Sequence, residues 1–188
     1  MTLAARPASP EDAAILAQIY NEGIEDRVGT FETRPRTVQD VLAWFDPVHP
    51  IVVVEADGEV IAFASTSSYR SRECYKGIAE FSVYVARHAR GQGAGRVAMQ
   101  ALVEAVKPAG IWKLLSRIFV DNDASRRLMA SMGFREVGIY EKHAQLDGTW
   151  RDVVIVERLI PENQLPPSPD GIGATSPPSP DGPGGTRS

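Results

Sequence analysis

The chemistry-bearing residues of this chain crowd into one stretch. Glu80 heads the run Phe81-Ser82-Val83-Tyr84-Val85, and Arg90-Gly91-Gln92-Gly93-Ala94-Gly95-Arg96 follows after four residues. A glycine turn between a buried strand and a helix start leaves several main-chain NH groups without intrahelical partners, all at the positive end of the helix dipole. Such a turn is an anion site, most naturally for phosphates. Glycine suits it because a Cβ would hold phosphate oxygens off the NH groups and because the turn visits positive φ. A Walker loop would need Gly-Lys-Ser/Thr, and a dinucleotide fingerprint a third glycine at position 96, which is Arg96. Neither is present. A second group, Arg70, Arg72 and Tyr75, precedes Glu80. Two arginines two apart share a face of an extended segment, and guanidinium forks match carboxylate or phosphinate oxygens. The alternative is a solvated basic loop beside the phosphates.

The elements that position these groups are legible from period and punctuation. Phe81, Val83 and Val85 alternate with Ser82, Tyr84 and Ala86, which predicts a strand over 78–85. From Gly95 the period changes, and Met99, Leu102, Val103 and Val106 form one helical stripe that Pro108 stops. Upstream, Leu3–Arg6 reads as a strand, and Ser9-Pro10-Glu11-Asp12 starts a helix with Leu16, Ile19, Tyr20 and Gly23 on one face. Residues 25–36 read as a loop in which Thr30 and Phe31 either line a pocket or form an exposed linker. Thr37 caps a second helix with Val38, Val41, Leu42 and Phe45 as its apolar face. Strands over 51–55 and 60–65 meet at Asp57-Gly58, a pair suited to a type I′ turn.

Downstream, 114–120 reads as a strand, and a short helix is capped near Asn122 or Asp123 and stopped at Gly133. Strands over 134–144 and 153–159 flank Asp147-Gly148. The order is strand, two helices, a strand meander, helix, strand, helix, two strands. From Pro161 the composition breaks, since the last 28 residues hold 8 of the 14 prolines and repeat PPSPDG. We expect one domain over 1–160 and a disordered tail over 161–188, an inert extension or a proline-rich ligand.

Composition bounds the function. The chain has 188 residues, 43% of them hydrophobic, and a net charge of −4 without a basic run, which disfavours a nucleic-acid surface. One cysteine, Cys74, excludes an internal disulfide and suits a reducing, cytoplasmic setting. Three histidines and one cysteine show no metal spacing, so no metal is expected. Nothing approaches a signal peptide or a membrane span.

Arg/Gln-x-x-Gly-x-Gly, here Arg90, Gly93 and Gly95, resembles the acetyl-CoA pyrophosphate loop of GNAT N-acetyltransferases, whose element order this chain shares. The segments TFETRPRT, RSRECY, EFSVYV, RGQGAG, DNDAS, MGF and DGTWRDVV resemble one branch, the phosphinothricin, arsinothricin and methionine sulfone N-acetyltransferases. The resemblance implies an α/β (α+β) GNAT fold, a mixed, mostly antiparallel twisted sheet flanked by helices, with acetyl-CoA in a groove at splayed central strands. It implies Glu80 as general base, and a desolvated position at the head of a central strand would raise its pKa toward a useful range; the alternative is a strand-end carboxylate exposed to water or paired with an arginine. It implies acetyl-CoA contacts from Val83, Tyr84 and Val85, from Arg90 through Arg96, and from Asn122 and Ser125. Phe31, Arg70, Arg72, Tyr75 and Glu80 would form the acceptor site, with a homodimer as the assembly.

The implied reaction is acetylation of the α-amine of a glutamate-like amino acid. Rival readings are another amine, such as a polyamine or a protein N-terminus, and a non-catalytic acyl-CoA-binding module. One residue departs from the branch: Met129 stands where relatives carry a tyrosine or histidine able to protonate the leaving thiolate, and methionine has no proton to give.

Overall fold

The computed structural model describes residues 2–164. Seven strands, β1 (Leu3–Pro7), β2 (Ile51–Ala56), β3 (Glu59–Ser68), β4 (Ile78–Val85), β5 (Lys113–Phe119), β6 (Arg135–Leu146) and β7 (Thr149–Leu159), form one sheet in the order β1-β2-β3-β4-β5-β7-β6. Every neighbouring pair is antiparallel except β4 and β5. Four helices join them: α1 (Ala13–Asp26), α2 (Val38–Leu42), α3 (Ala94–Val106) and α4 (Asp123–Ser131).

Both tight hairpins use the turn that their sequences favour. Asp57 and Gly58 take φ of 51° and 85°, and Asp147 and Gly148 take 47° and 77°, the pair of positive values that a type I′ turn requires. At the second hairpin the arms run up to the turn, so β6 and β7 are longer than the apolar pattern predicts. Polar residues there gain cross-strand bonds that hydropathy does not register. Helix α1 also runs past Gly23 to Asp26, and the loop begins only at Arg27. Gly23 has a packing reason, because a Cβ there would lie 2.7 Å from Cε1 of Tyr84. Of the face expected for α2, Val41 is buried but Val38 is 45% exposed, since the helix ends after five residues and presents little more than one turn to the core.

Helix α3 buries Ala94, Ala98, Met99, Leu102, Val103 and Val106 against the sheet, the stripe read from its spacing. At the far end a short turn over Pro161–Asn163 docks on this helix, and the Asn163 amide donates to the carbonyls of Lys107 and Ile111 at 2.9 Å each. The folded part therefore continues past residue 160, because Asn163 ties down main-chain acceptors at the end of α3. The rest of the expected tail, 165–188, lies outside the described residues.

Candidate active site

The site is built where pairing stops. β4 and β5 pair only through Ile78–Lys113, Ala79–Leu114 and Glu80–Leu115, although β4 continues to Val85 and β5 to Phe119. Beyond Glu80, β4 stays with β3 while β5 stays with β7, and the two edges part. A groove with a cavity volume of about 480 Å³ opens between them. Its long sides are Phe81 to Val85 and Ser116 to Phe119, and its end is closed by Gly91, Gly93, Gly95, Arg96, Asn122 and Ser125. The Ala86 NH donates to Ile61 of β3 at 2.8 Å. Alternation along the strand then turns the NH groups of Val83 and Val85 toward the β5 side, into the gap.

The glycine turn has the geometry of an anion cradle. Gly91 and Gly93 take φ of 75° and 90°, which a side chain would strain. The first bonds of α3 run from the NH groups of Arg96 and Val97 to the Gly93 carbonyl, so the NH groups of Ala94 and Gly95 precede the helical ladder. Gly95 also lets α3 approach β4 and α4, since a Cβ would sit 3.3 Å from Leu128 and 3.4 Å from Val85. Gln92 and Ala94 do not line the groove with side chains: the Gln92 amide donates to the His88 carbonyl, and Ala94 is buried.

Arg90 lines the groove but is already engaged. It donates to the Val85 carbonyl at 3.2 Å and to Asp26 at 2.5 Å, and Arg87 donates to the same Asp26 carboxylate at 2.8 Å. The bonds from Arg87 and then Arg90 hold the Asp26 carboxyl below the usual range. This clamp ties the glycine turn to the end of α1. Asn122 makes a second tie: its carbonyl oxygen accepts the Ser125 NH at 3.1 Å, and its amide donates to Val28 at 2.9 Å. Tyr84 packs edge-on against Tyr20 with ring centres 4.8 Å apart, and burial, with Tyr20 next, pushes its hydroxyl pKa far up. Its hydroxyl stays protonated.

Glu80, Ser82 and Tyr84 point to the α1 side of the sheet. The environment of Glu80 differs from the desolvated one expected. Its side chain is 30% exposed, and Oε2 accepts from the Arg117 guanidinium at 2.9 Å. The parting of β4 and β5 that makes the groove also keeps this carboxylate open to water. Arg117 is a site residue that the sequence reading missed. Its one signal is a cation amid the mostly apolar residues of Leu114–Phe119, and its partner Glu80 lies 37 positions away.

A second cavity of about 330 Å³ adjoins on the α1 side, lined by Tyr20, Arg36, Trp44, His49 and a row of β3 residues, and it shares Ser82 with the groove. Ser65 faces Ser82 and Ser67 faces Glu80 across the β3–β4 ladder. Glu80 itself lines neither cavity; it bonds Arg117 of the groove wall, and its neighbours Ser67, opposite on β3, and Ser82, two residues on, line the second cavity.

The remaining expected acceptor residues are dispersed. Phe31 packs edge-on against Phe119 of the groove wall, centroids 4.8 Å apart, without lining the groove itself. Arg70, Arg72 and Tyr75 line neither cavity. They lie on the loop into β4, where the Arg70 guanidinium sits 5.1 Å from the Tyr69 ring centre and Tyr75 packs against the same ring. The chain bends at Ser71 and Arg72, with Arg72 keeping extended φ and ψ, and a short turn over Glu73–Tyr75 follows. Met129 is 1% exposed and forms part of the groove wall. Among the described residues no three of His, Cys, Asp and Glu gather as a metal site, and no helix is long and apolar enough to cross a membrane.

The groove, with inward NH groups along one wall and a glycine cradle at its end, fits a long ligand that carries amides and a pyrophosphate. Comparison with known proteins agrees. Residues 16–134 match the Acetyltransferase (GNAT) family. A phosphinothricin N-acetyltransferase of Streptomyces coelicolor is 32% identical over 160 residues, covering 81% of this chain and 94% of that protein. An L-methionine sulfoximine/L-methionine sulfone acetyltransferase of Pseudomonas aeruginosa is 31% identical over 162 residues, covering 84% and 94%. The crystal structure of a GNAT superfamily phosphinothricin acetyltransferase from Sinorhizobium meliloti in complex with acetyl-CoA superposes with a TM-score of 0.79 at 27% identity, covering 85% of this chain and 89% of that one. The chain belongs to the GNAT acetyltransferase family and is an acetyl-CoA-dependent N-acetyltransferase.

Proposed function

We propose that the acceptor is a small glutamate-like amino acid, of the kind represented by phosphinothricin, arsinothricin and methionine sulfone or sulfoximine, acetylated on its α-amine. The observation that carries this reading is the position of Glu80 at the last β4–β5 pair, bonded to Arg117 of the groove wall and next to Ser67 and Ser82 of a second cavity of about 330 Å³. Acetyl-CoA supplies the acetyl thioester. The NH groups of Val83 and Val85 would hold the oxygens of its arm, and the main chain of Gly91 through Arg96 its pyrophosphate, with Asn122 and Ser125 beside it. An α-amine with a pKa near 8 or above is mostly protonated at neutral pH, so a proton must leave before the nitrogen can attack. The Glu80 carboxylate accepts that proton, and Arg117 fixes the carboxylate at 2.9 Å. Arg70, Arg72 and Tyr75 stand outside both cavities on the loop that leads into β4 and would meet the acceptor's carboxylate from there, and Phe31 backs the groove wall at Phe119.

Relatives that act on phosphinothricin and methionine sulfoximine or sulfone support this acceptor class. A cationic wall containing Arg36 disfavours a polyamine. Inactivation of a toxic amino acid, in the cytoplasm, would be the consequence. For the homodimer, Val137, Ile139, Tyr140 and Trp150 supply an exposed apolar surface on the β6–β7 hairpin. The test is thiol release from acetyl-CoA with phosphinothricin, arsinothricin, methionine sulfone and spermidine. Saturable turnover with the first three and little with spermidine is expected. Preference for spermidine would overturn the acceptor class.

A further inference from the structure

The second cavity holds a cation, Arg36, to which no contact with the acceptor has been assigned. Arg36 lines it and is built into place: the Asn21 side chain accepts its main-chain NH at 2.7 Å and donates to its carbonyl at 2.9 Å, pinning the residue to α1. The guanidinium side chain is 20% exposed and meets one carboxylate, Glu32, with Nη2 at 2.6 Å from Oε2. A guanidinium has five NH donors in a fixed fork, so this contact leaves donors for a second, planar or tetrahedral oxyanion.

The other charged groups of the cavity do not compete for that role. Asp46 accepts the NH groups of Val48 and His49 at 2.7 Å each on one oxygen and bonds His49 Nδ1 at 2.7 Å on the other. Burial opposes its ionisation, but these bonds prevail and its pKa is lowered. Its charge is spent on His49 and two NH groups. The rest of the wall is neutral. Tyr20 and Trp44 meet edge-on, centroids 5.2 Å apart, and make a stiff apolar side suited to methylenes. Ser65, Ser67 and Ser82 make a hydroxyl side that runs from Glu80 inward.

We propose that Arg36 is the specificity residue for the far, acidic end of the acceptor side chain. The acceptor's α-amine then lies at Glu80, its methylenes pass along Tyr20 and Trp44, and its terminal oxyanion takes the open donors of Arg36. This rests on the acceptor class proposed above and divides the recognition of its two anions between two places, the loop carrying Arg70 and Arg72 and the cavity carrying Arg36.

The test compares two acceptors of similar length whose far ends differ in charge, phosphinothricin and the uncharged methionine sulfone, on wild type, Arg36→Gln and Arg36→Lys. A charge-assisted bond lost from a partly buried site weakens binding by about tenfold or more. KM for phosphinothricin should therefore rise by about that factor in Arg36→Gln and partly recover in Arg36→Lys. KM for methionine sulfone and for acetyl-CoA should stay within about threefold, the latter showing that the fold is kept. Equal losses for both acceptors, or no loss for phosphinothricin, would overturn the assignment while leaving the acceptor class intact. If wild type acetylates neither, the acceptor class falls and this assignment falls with it.

Discussion

Replacing Glu80 by Gln separates chemistry from structure at the last β4–β5 pair. Glutamine keeps the shape of the side chain and an oxygen to accept from Arg117, but it cannot take a proton from an ammonium group. With the two side chains 30% and 34% exposed, the ion pair is worth at most about 1 kcal/mol after solvent screening. In a chain of this size that corresponds to a fall in Tm of no more than about 4 °C. General base catalysis contributes about 10²- to 10⁴-fold, or roughly 2.7–5.4 kcal/mol of barrier at 1.36 kcal/mol per decade. The catalytic term therefore exceeds the structural one severalfold. We expect kcat/KM for the acceptor, measured by thiol release with acetyl-CoA saturating, to fall by at least about 10² at pH 7. The deficit should then shrink as pH rises, because each unit below the amine pKa supplies about ten times more free amine without help. A loss under about threefold, or a deficit that stays constant up to the amine pKa, would refute Glu80 as the base.

Three further outcomes follow from the packing. Gly77→Ala would set a Cβ 1.9 Å from the Trp112 ring while the Gly77 carbonyl holds the NH groups of Trp112 and Lys113, so we expect a stability loss near or above the roughly 3 kcal/mol upper range of overpacking. Urea unfolding checks it, and a loss below about 1 kcal/mol would mean that Trp112 moves freely. Asp12, held low chiefly by Arg6, and Asp26, held low by Arg87 and Arg90, have folded pKa values below their unfolded ones. Their stabilisation is present above about pH 4 and is lost as pH falls through the folded values, so the urea midpoint should drop on acidification below about pH 4, less steeply in Asp12→Asn. Met129→Leu conserves volume in a buried wall that donates no proton, and kcat should stay within about threefold of wild type. A tenfold loss in a variant of unchanged Tm would give the thioether a role that packing does not.

The elements were legible because each carries its own period or turn residue. Asp57-Gly58 announces its hairpin, Met99 to Val106 announces the buried side of α3, and Gly91 and Gly93 announce a turn at positive φ. The groove wall around Val83 and Val85 was legible for the same reason. What was not legible depends on contacts between distant segments. Arg117 meets Glu80 across 37 positions, Arg36 is pinned by Asn21 15 positions away, and the Asp46–His49 pair joins the serines of β3 only through the fold. Arg70 and Arg72 show the converse, since their spacing suggests a binding face while the fold leaves both outside the two cavities. The expected burial of Glu80 failed on a subtler point. A central strand is usually covered on both edges, and this one loses its neighbour just past the residue in question.

That lost neighbour is the physical origin of the site. The sheet behaves as two half-sheets, β1 to β4 and β5-β7-β6, joined by a seam of three parallel pairs. Forgoing further pairing would be costly if the halves depended on it, since unpaired main-chain groups and exposed apolar edges both destabilise. They do not depend on it. On the α3 side a single core spans both halves, with Phe81 of β4 packed 4.9 Å from Phe134 after α4, and with Leu114, Ile118, Val154 and Val156 in the same cluster. On the α1 side the halves have separate covers: α1 lies over β3 and β4, while Phe31 and Leu115 close over Phe119, Leu146, Val153 and Ile155. The shared core keeps the halves from separating, and the divided cover keeps the gap between them open. NH groups that would complete a ladder elsewhere are thereby left facing the gap, and Glu80 is the last residue of the seam before it opens.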